Sequence, residues 1–217
     1  MSALLREQLL QAMQRPLAER LVVSPMLDPE QVGPSSIDLR LGTQFIAVQR
    51  HAERAIDPFD PYSMAGREES INIPFGDTFV LHPGHFVLGA TLEYLCVPND
   101  MAGQVLGRSS WGRLGLVVAT AVVVQAGFRG CLTLELVNEG TVPLLLRPGL
   151  RVAQLCLWQS AVPVVNGYDS SAAKYKAPLG PQSSKLGVEG PELERLRRLS
   201  RRLAGERSPN EPPDLNP

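Results

Sequence analysis

The sequence predicts an all-β fold, a barrel or sandwich with short helices at either end, on three observations. The 217-residue chain holds 19 Gly and 19 Pro, which favours many short strands and tight turns over long helices. Strand-like runs recur at roughly 8–12 residues between Gly/Pro turns, the spacing of a barrel or sandwich. From Ser36 to Leu41 the pattern alternates, with Ile37, Leu39 and Leu41 opposite Asp38 and Arg40, as in a strand with one polar face.

Residues 3–15 read as a helix with Leu4, Leu5, Leu9, Leu10 and Met13 on one side, stopped by Pro16. Leu21 to Val23 is a first short strand, and Asp28-Pro29-Glu30 and Gly33-Pro34 are turns. The alternating strand continues through Thr43 to Gln49. Residues 51–70 are polar and turn-rich, a long surface loop. Strands follow at 71–75, 78–81, 86–95 and 101–106, with a short helical turn at 109–114. Further strands are expected at 117–124, 132–137, 142–146 and 152–158. After Gly167 the composition shifts to Ser, Ala, Lys, Pro and Gly, as in a flexible arm. Glu192 to Ala204 reads as a helix with Leu193, Leu196, Leu199 and Leu203 along one side and Arg195, Arg197, Arg198, Arg201 and Arg202 beside them. From Ser208 the chain is Pro/Asn/Glu-rich and expected to be disordered. The organisation is thus an N-terminal helix (1–16), a β domain (17–167), an arm (168–190), and a basic helix with a tail (191–217).

Net charge is −1, so nothing global points to nucleic acid or an anionic membrane, and any phosphate affinity must be local. The longest apolar stretch, Leu114 to Val124, is about half a membrane span. Arg6, Glu7 and Gln8 stand where a signal peptide would need an apolar core. Cys96, Cys131 and Cys156 are far apart in hydrophobic contexts, which suits free thiols and a cytoplasmic setting. His51-Ala52-Glu53 mimics the His-x-Glu of zinc deaminases, but no Pro-Cys-x-x-Cys accompanies it, so no zinc is expected.

The chemistry concentrates in Arg108-Ser109-Ser110-Trp111-Gly112-Arg113 and in Glu135 downstream. An Arg-Ser-Ser cluster suits phosphate oxygens. A carboxylate inside a Val/Leu-rich strand is costly unless something pairs it or uses it. Together they suggest a nucleotide site with a carboxylate placed for proton transfer.

Several motifs, taken in order, resemble one family. They are Ser35-Ser36-Ile37-Asp38-Leu39-Arg40-Leu41-Gly42, Leu81-His82-Pro83-Gly84, Gly107 through Leu116, Ala126-Gly127-Phe128-Arg129-Gly130, Leu134-Glu135, Leu146-Arg147-Pro148-Gly149, and the late Tyr168 with Lys174-Tyr175. They resemble the dCTP deaminase branch of the dUTPase superfamily, from about residue 17 to about 188. The resemblance implies a dUTPase-type distorted barrel (a β-clip), a homotrimer, and active sites at subunit interfaces. It implies hydrolytic deamination of dCTP to dUTP and ammonia, with Mg²⁺ riding on the triphosphate. By match, Glu135 carries the proton from the attacking water to the departing amine, and Ser109 and Arg113 arrange that water and glutamate. Arg108, Ser110, Gln125, Ala126, Phe128, Gln154, Tyr168, Lys174 and Tyr175 are the matching nucleotide-binding positions, and the arm folds over the nucleotide. A glutamate paired with a guanidinium is also how elementary chemistry would fix a general base.

The chain departs from the family pattern at three places. Gln125 stands where an acidic residue precedes the Ala-Gly-aromatic turn; an amide hydrogen-bonds a hydroxyl but cannot act as a base. The stretch 116–121 is about one residue shorter and lacks a His. Pro178 replaces a Gln of the arm. Two other functions stay open on these grounds: a nucleotide-binding member with altered or lost catalysis, and a dUTP/dCTP pyrophosphatase-type hydrolase.

Overall fold

A computed structural model describes residues 3–48, 67–120, 123–168 and 174–203. Two compact units emerge, one of residues 1–49 and 68–183, the other of 50–67 and 184–217.

The first unit is β-rich. A helix, α1 (Arg6–Met13), opens it and buries Leu9 and Ala12. It is shorter than the 3–15 expected. Leu5 is the N-cap, its N–H donating to Gln8 Oε1 at 2.9 Å. Residues before it run extended along the last strand, with Leu4 N donating to the Leu157 carbonyl at 2.8 Å.

The strands are β1 (Val22–Ser24), β2 (Ile37–Val48), β3 (Glu68–Asn72), β4 (Phe79–Leu81), β5 (Phe86–Cys96), β6 (Met101–Gly107), β7 (Leu116–Val118), β8 (Val123–Val124), β9 (Arg129–Asn138), β10 (Leu144–Leu146) and β11 (Arg151–Gln159). A four-residue helix, α2 (Ser109–Gly112), follows β6. One sheet runs β7-β9-β5-β2-β11-β6-β8, with β1 added to β5 and β3 to β2; β10 and β4 form a separate pair. Every pairing is antiparallel. The core lies inside this curled sheet and includes Leu39, Leu41, Phe45, Leu95, Leu134, Leu136, Leu155 and Leu157. Phe45 stacks on Phe79, ring centroids 4.8 Å apart.

β9 shows the period of two that places the chemistry. Leu132, Leu134 and Leu136 are buried, while Thr133, Glu135 and Val137 face the other way and are half-buried.

Two segments differ from expectation. The run 117–124 is not one strand. β7 pairs with β9 and β8 with β6, at opposite ends of the sheet. Ala119 N donates to the Glu135 carbonyl at 2.8 Å and Glu135 N donates to Thr120 Oγ1 at 2.7 Å. The chain leaves the β9 ladder where a side-chain hydroxyl takes over from the backbone. The strand expected at 71–75 sits earlier, at 68–72, because its pairing with β2 runs back into Glu68 and Pro74 has no N–H for a ladder. The rest of the expected 51–70 loop lies outside the described residues up to position 66.

Gly103 in β6 is a point of close approach. A Cβ there would lie 2.7 Å from the Cys156 carbonyl oxygen and 2.7 Å from Leu157 Cδ2. Gly103→Ala is therefore expected to destabilise the unit by about 1–3 kcal/mol, as overpacking does, and chemical denaturation at equilibrium checks it.

Among the described residues, Glu93 is the most deeply buried of the charged side chains. Its carboxylate accepts from Gln31 Nε2 at 2.8 Å and from Arg40 N at 2.9 Å. Desolvation still dominates those bonds and raises its pKa above the ordinary 4.5. The folded chain thus holds this proton more tightly than the unfolded one. The stability it gives is full below the unfolded value and is lost as pH rises through the folded value. Thermal midpoints of wild type and Glu93→Gln, compared from about pH 4 to 8, are expected to converge at the acid end and separate in the variant's favour on the alkaline side.

In the second unit, the helix α3 (Gly190–Leu203) follows a 3₁₀ turn at Leu186–Glu189. Leu196, Leu199 and Leu203 on it are exposed. Its 194–198 ion pair is also exposed and contributes a few tenths of a kcal/mol at most. No helix among the described residues is long and apolar enough to cross a membrane.

Candidate functional site

Glu135 lines a cavity of about 330 Å³, at the small end of ligand pockets. Its backbone is fixed on both sides, by Thr120 Oγ1 and by Ala119 N. Thr120 itself is buried, so a single hydroxyl in the crossover locks the height of the carboxylate. Gln125, Phe128, Thr133, Tyr168, Tyr175 and Gln182 complete most of the lining. Glu135 is the one carboxylate among the described lining residues.

The turn before β9 supplies the aromatic wall. Gly127 has φ +79°, and a Cβ there would fall 2.7 Å from both Asn99 Oδ1 and Gly167 Cα, so only glycine fits this tight approach. Tyr168 N donates to the Ala126 carbonyl at 2.8 Å. The Phe128 and Tyr168 rings then meet at 5.8 Å between centroids, tilted by 42°, within the contact range of aromatic pairs.

The arm lies against β9. Cys131 N donates to the Pro178 carbonyl at 2.7 Å, and Gln182 N donates to Thr133 Oγ1 at 3.1 Å. Pro178 has no donor, yet its carbonyl anchors the segment. Gly130 makes room for it: a Cβ there would lie 2.4 Å from Pro178 Cδ, and its φ is +134°. Lys174, expected at the nucleotide, is exposed at the near end of this segment.

The basic residues gather elsewhere. Arg108 stands at the N-cap of α2, with Ser109 and Ser110 exposed just after it. Its Nε lies 3.6 Å from Asp38 Oδ1. Arg151 Nη1 donates to Asp38 Oδ2 at 3.2 Å, and Gln154 Nε2 to Asp38 Oδ1 at 3.2 Å. Arg151 Nη2 also contacts both oxygens of Asp28, at 2.8 and 2.7 Å, and Arg40 reaches Asp28 at 2.5 Å. Three guanidiniums thus share two carboxylates. Desolvation pulls the Asp28 pKa upward, but the Arg151 hydrogen bonds and the charges of Arg151 and Arg40 outweigh it, and the carboxyl stays below its ordinary 3.8. That contribution to stability is present above 3.8 and fades as pH falls through the lowered value. The Arg151 guanidinium is held protonated, first by its Asp28 hydrogen bond. One positive charge in this group is left over, beside Ser109 and Ser110, as an anion-binding surface requires.

The chain therefore brings Glu135, Gln125, Phe128, Tyr168 and Tyr175 together, and separately groups Arg108 with Gln154 beside the exposed Ser109 and Ser110. It does not join the two sets. Arg113 is exposed and donates only a long 3.4 Å bond to Ser109 Oγ. No ion pair among the described residues links it to Glu135, and neither Ser109 nor Arg113 lines the cavity. Thr120, Thr133, Gln182 and Asp38 were not expected at the site. For Thr120 a signal existed: a lone hydroxyl in a Val/Ala run must find a partner once buried. Asp38 was expected on a polar strand face but is buried beneath Arg151 and Gln154. Among the described residues no three His, Cys, Asp or Glu side chains cluster as metal ligands would.

Comparison with known proteins points one way. A family model described as dCTP deaminase-like matches residues 4–160. A dCTP deaminase of Halorubrum lacusprofundi is 43% identical over 172 residues, covering 78% of this chain and 85% of its own. A dCTP deaminase, dUMP-forming, of Methanobrevibacter smithii is 39% identical over 173 residues, covering 78% and 89%. The crystal structure of 2′-deoxycytidine 5′-triphosphate deaminase from Agrobacterium tumefaciens superposes with a TM-score of 0.54 at 26% identity over 71% of this chain. This chain spans 47% of that longer one.

Proposed function

This chain belongs to the dCTP deaminase family, and on that premise we propose that it deaminates dCTP hydrolytically to dUTP and ammonia, without a protein-bound metal. The observation that carries this reading is Glu135, the one carboxylate lining a cavity whose wall is aromatic and amide. The cytosine ring lies in that cavity, between the Phe128–Tyr168 wall and the arm. Glu135 takes a proton from a water that attacks C4. Bond formation at C4 pushes the C4–N3 π electrons onto N3, which takes that proton from Glu135. Glu135 then takes the proton of the C4 hydroxyl as the carbonyl forms and delivers it to the exocyclic nitrogen, and the C4–N bond breaks to release ammonia. A fixed, partly desolvated general base of this kind is worth roughly 10²–10⁴ in rate.

The second half of the site comes from another copy. Ser109, Arg113, Arg108 and Ser110 lie outside the cavity of their own chain, so a neighbouring protomer of a homotrimer brings its 108–113 segment to this Glu135. The phosphates then meet the left-over positive charge at Arg108. The nucleotide enters as its Mg²⁺ complex. Asp28 and Asp38 are already taken by Arg40, Arg151 and Gln154, so phosphate oxygens and water hold that ion. The setting is cytoplasmic, where dCTP and free thiols coexist.

The test is direct. Protein incubated with dCTP and Mg²⁺ is followed by the ultraviolet change and by anion exchange of the products. dUTP with one ammonia per turnover is the expected result, and no product at high enzyme concentration overturns the reading. Gln125 cannot serve as a base, so dUTP rather than dUMP with pyrophosphate is the end product. Gly130→Ala checks the arm. The added methyl displaces Pro178, and KM for dCTP is expected to rise about threefold to thirtyfold, the scale of losing one ordered hydrogen bond and its packing.

A further inference from the structure

We propose that Asp38, with Arg151 behind it, is a positioning residue that aims Arg108 at the nucleotide phosphates; this rests on the reading of Arg108 as a phosphate ligand. The argument starts from cost. Asp38 is only 8% exposed, and a carboxylate removed from water is expensive even when paired, more so than an apolar residue of the same size. Stability alone therefore does not account for it.

The sheet register shows what the carboxylate is held for. Asp38 on β2 is the cross-strand partner of Gln154 on β11, and Gln154 is the partner of Leu106 on β6. Partners in register share a face, and Arg108 lies two residues past Leu106, so it returns to that face. In an unbroken strand Arg151, three residues before Gln154, would point the other way. The ladder between β11 and β2 slips between Arg151 and Ala153. That bulge turns Arg151 onto the same carboxylate as Gln154, the re-aiming that bulges perform.

The bulge also grips the 108–112 segment from its backbone. Arg108 N donates to the Val152 carbonyl at 3.2 Å, and Trp111 Nε1 donates to the Arg151 carbonyl at 2.9 Å. Arg151 cannot swing away, because its other nitrogen is fastened to both oxygens of Asp28. The result is a braced line, Asp28 to Arg151 to Asp38 to Arg108. Asp38 meets Arg108 at its Nε edge, an ion pair at 3.6 Å rather than a hydrogen bond. A guanidinium held along that edge has its outer fork set in direction, and losing rotamer freedom in advance leaves less to lose when phosphate binds.

Steady-state deamination of dCTP by Asp38→Asn, Arg108→Ala and the double variant tests this. Asp38→Asn is expected to raise KM about tenfold and keep kcat within about threefold, because the contact is to a bound group rather than to the reacting carbon. In the Arg108→Ala background the same change is expected to move KM less than about twofold, the mark of two residues acting through one contact. Equal effects in both backgrounds, or a fall in kcat with KM unchanged, overturn the proposal. Arg151→Lys keeps the charge but loses the fork that spans two aspartates, so it should raise KM in the same direction; it stands in if Asp38→Asn does not fold. Calorimetry with inorganic tripolyphosphate, a probe that needs no turnover, separates the two readings. Binding that weakens about tenfold in Asp38→Asn supports the bracing even if dCTP is not the substrate. Binding unchanged in Asp38→Asn but lost in Arg108→Ala overturns the bracing alone, and binding unchanged in both overturns Arg108 as a phosphate ligand and the bracing with it.

Discussion

Glu135→Gln is expected to lower kcat for dCTP by about 10²–10⁴ while KM stays within a few-fold, because the amide keeps the shape of the side chain and loses only its capacity to carry a proton. The backbone at 135 is bonded to Thr120 Oγ1 and Ala119 N, so the fold has no reason to move. Rapid-quench measurement of dUTP formation over one turnover checks it. A variant that turns over at the wild-type rate would remove Glu135 from the chemistry. Thr120→Val probes the same point from behind. It leaves Glu135 N without an acceptor, at a cost of about 1–3 kcal/mol, and shifts the carboxylate, so kcat falls with it.

The second large effect concerns the assembly. Arg113→Ala alone and Glu135→Gln alone should each be nearly inactive. Mixed after partial unfolding and reassembly, they should recover activity. In a ring of three, a site that takes Glu135 from an Arg113→Ala protomer and Arg113 from a Glu135→Gln neighbour is intact. Random mixing at equal amounts gives mixed rings in about three cases of four, each with one intact site of three, hence about a quarter of wild-type activity under closed cyclic symmetry. Additive inactivity in rings shown to be mixed by mass spectrometry would place the two residues in one protomer's site, or in none.

Much of the architecture was legible in the sequence because strand periodicity and Gly/Pro punctuation report local physics. β5, β6, β9 and β11 lie within a few residues of where alternation placed them, and the Glu135 face follows from the period of two along β9. The run 117–124 was misread as one strand because every residue in it suits a strand. Nothing local states that the chain changes partner at Thr120, since pairing is a tertiary choice. The burial of Asp38 was hidden for the same reason: a bulge 113 places away in β11 supplies the guanidinium that makes it tolerable. The gap between Arg113 and Glu135 has another source. On the proposed assembly the two residues meet across copies, and such a meeting leaves no trace in the contacts of one chain.

The passage from β7 to β8 bears on how such a chain can change length. A residue lost inside a paired strand inverts every side chain beyond it. Positions 119 and 120 belong to no ladder, and the strands on either side of the passage answer to different neighbours, so a deletion there leaves both registers as they were. The shortening by about one residue that the resemblance implies for 116–121 would overlap this passage, where neither strand's register depends on its length.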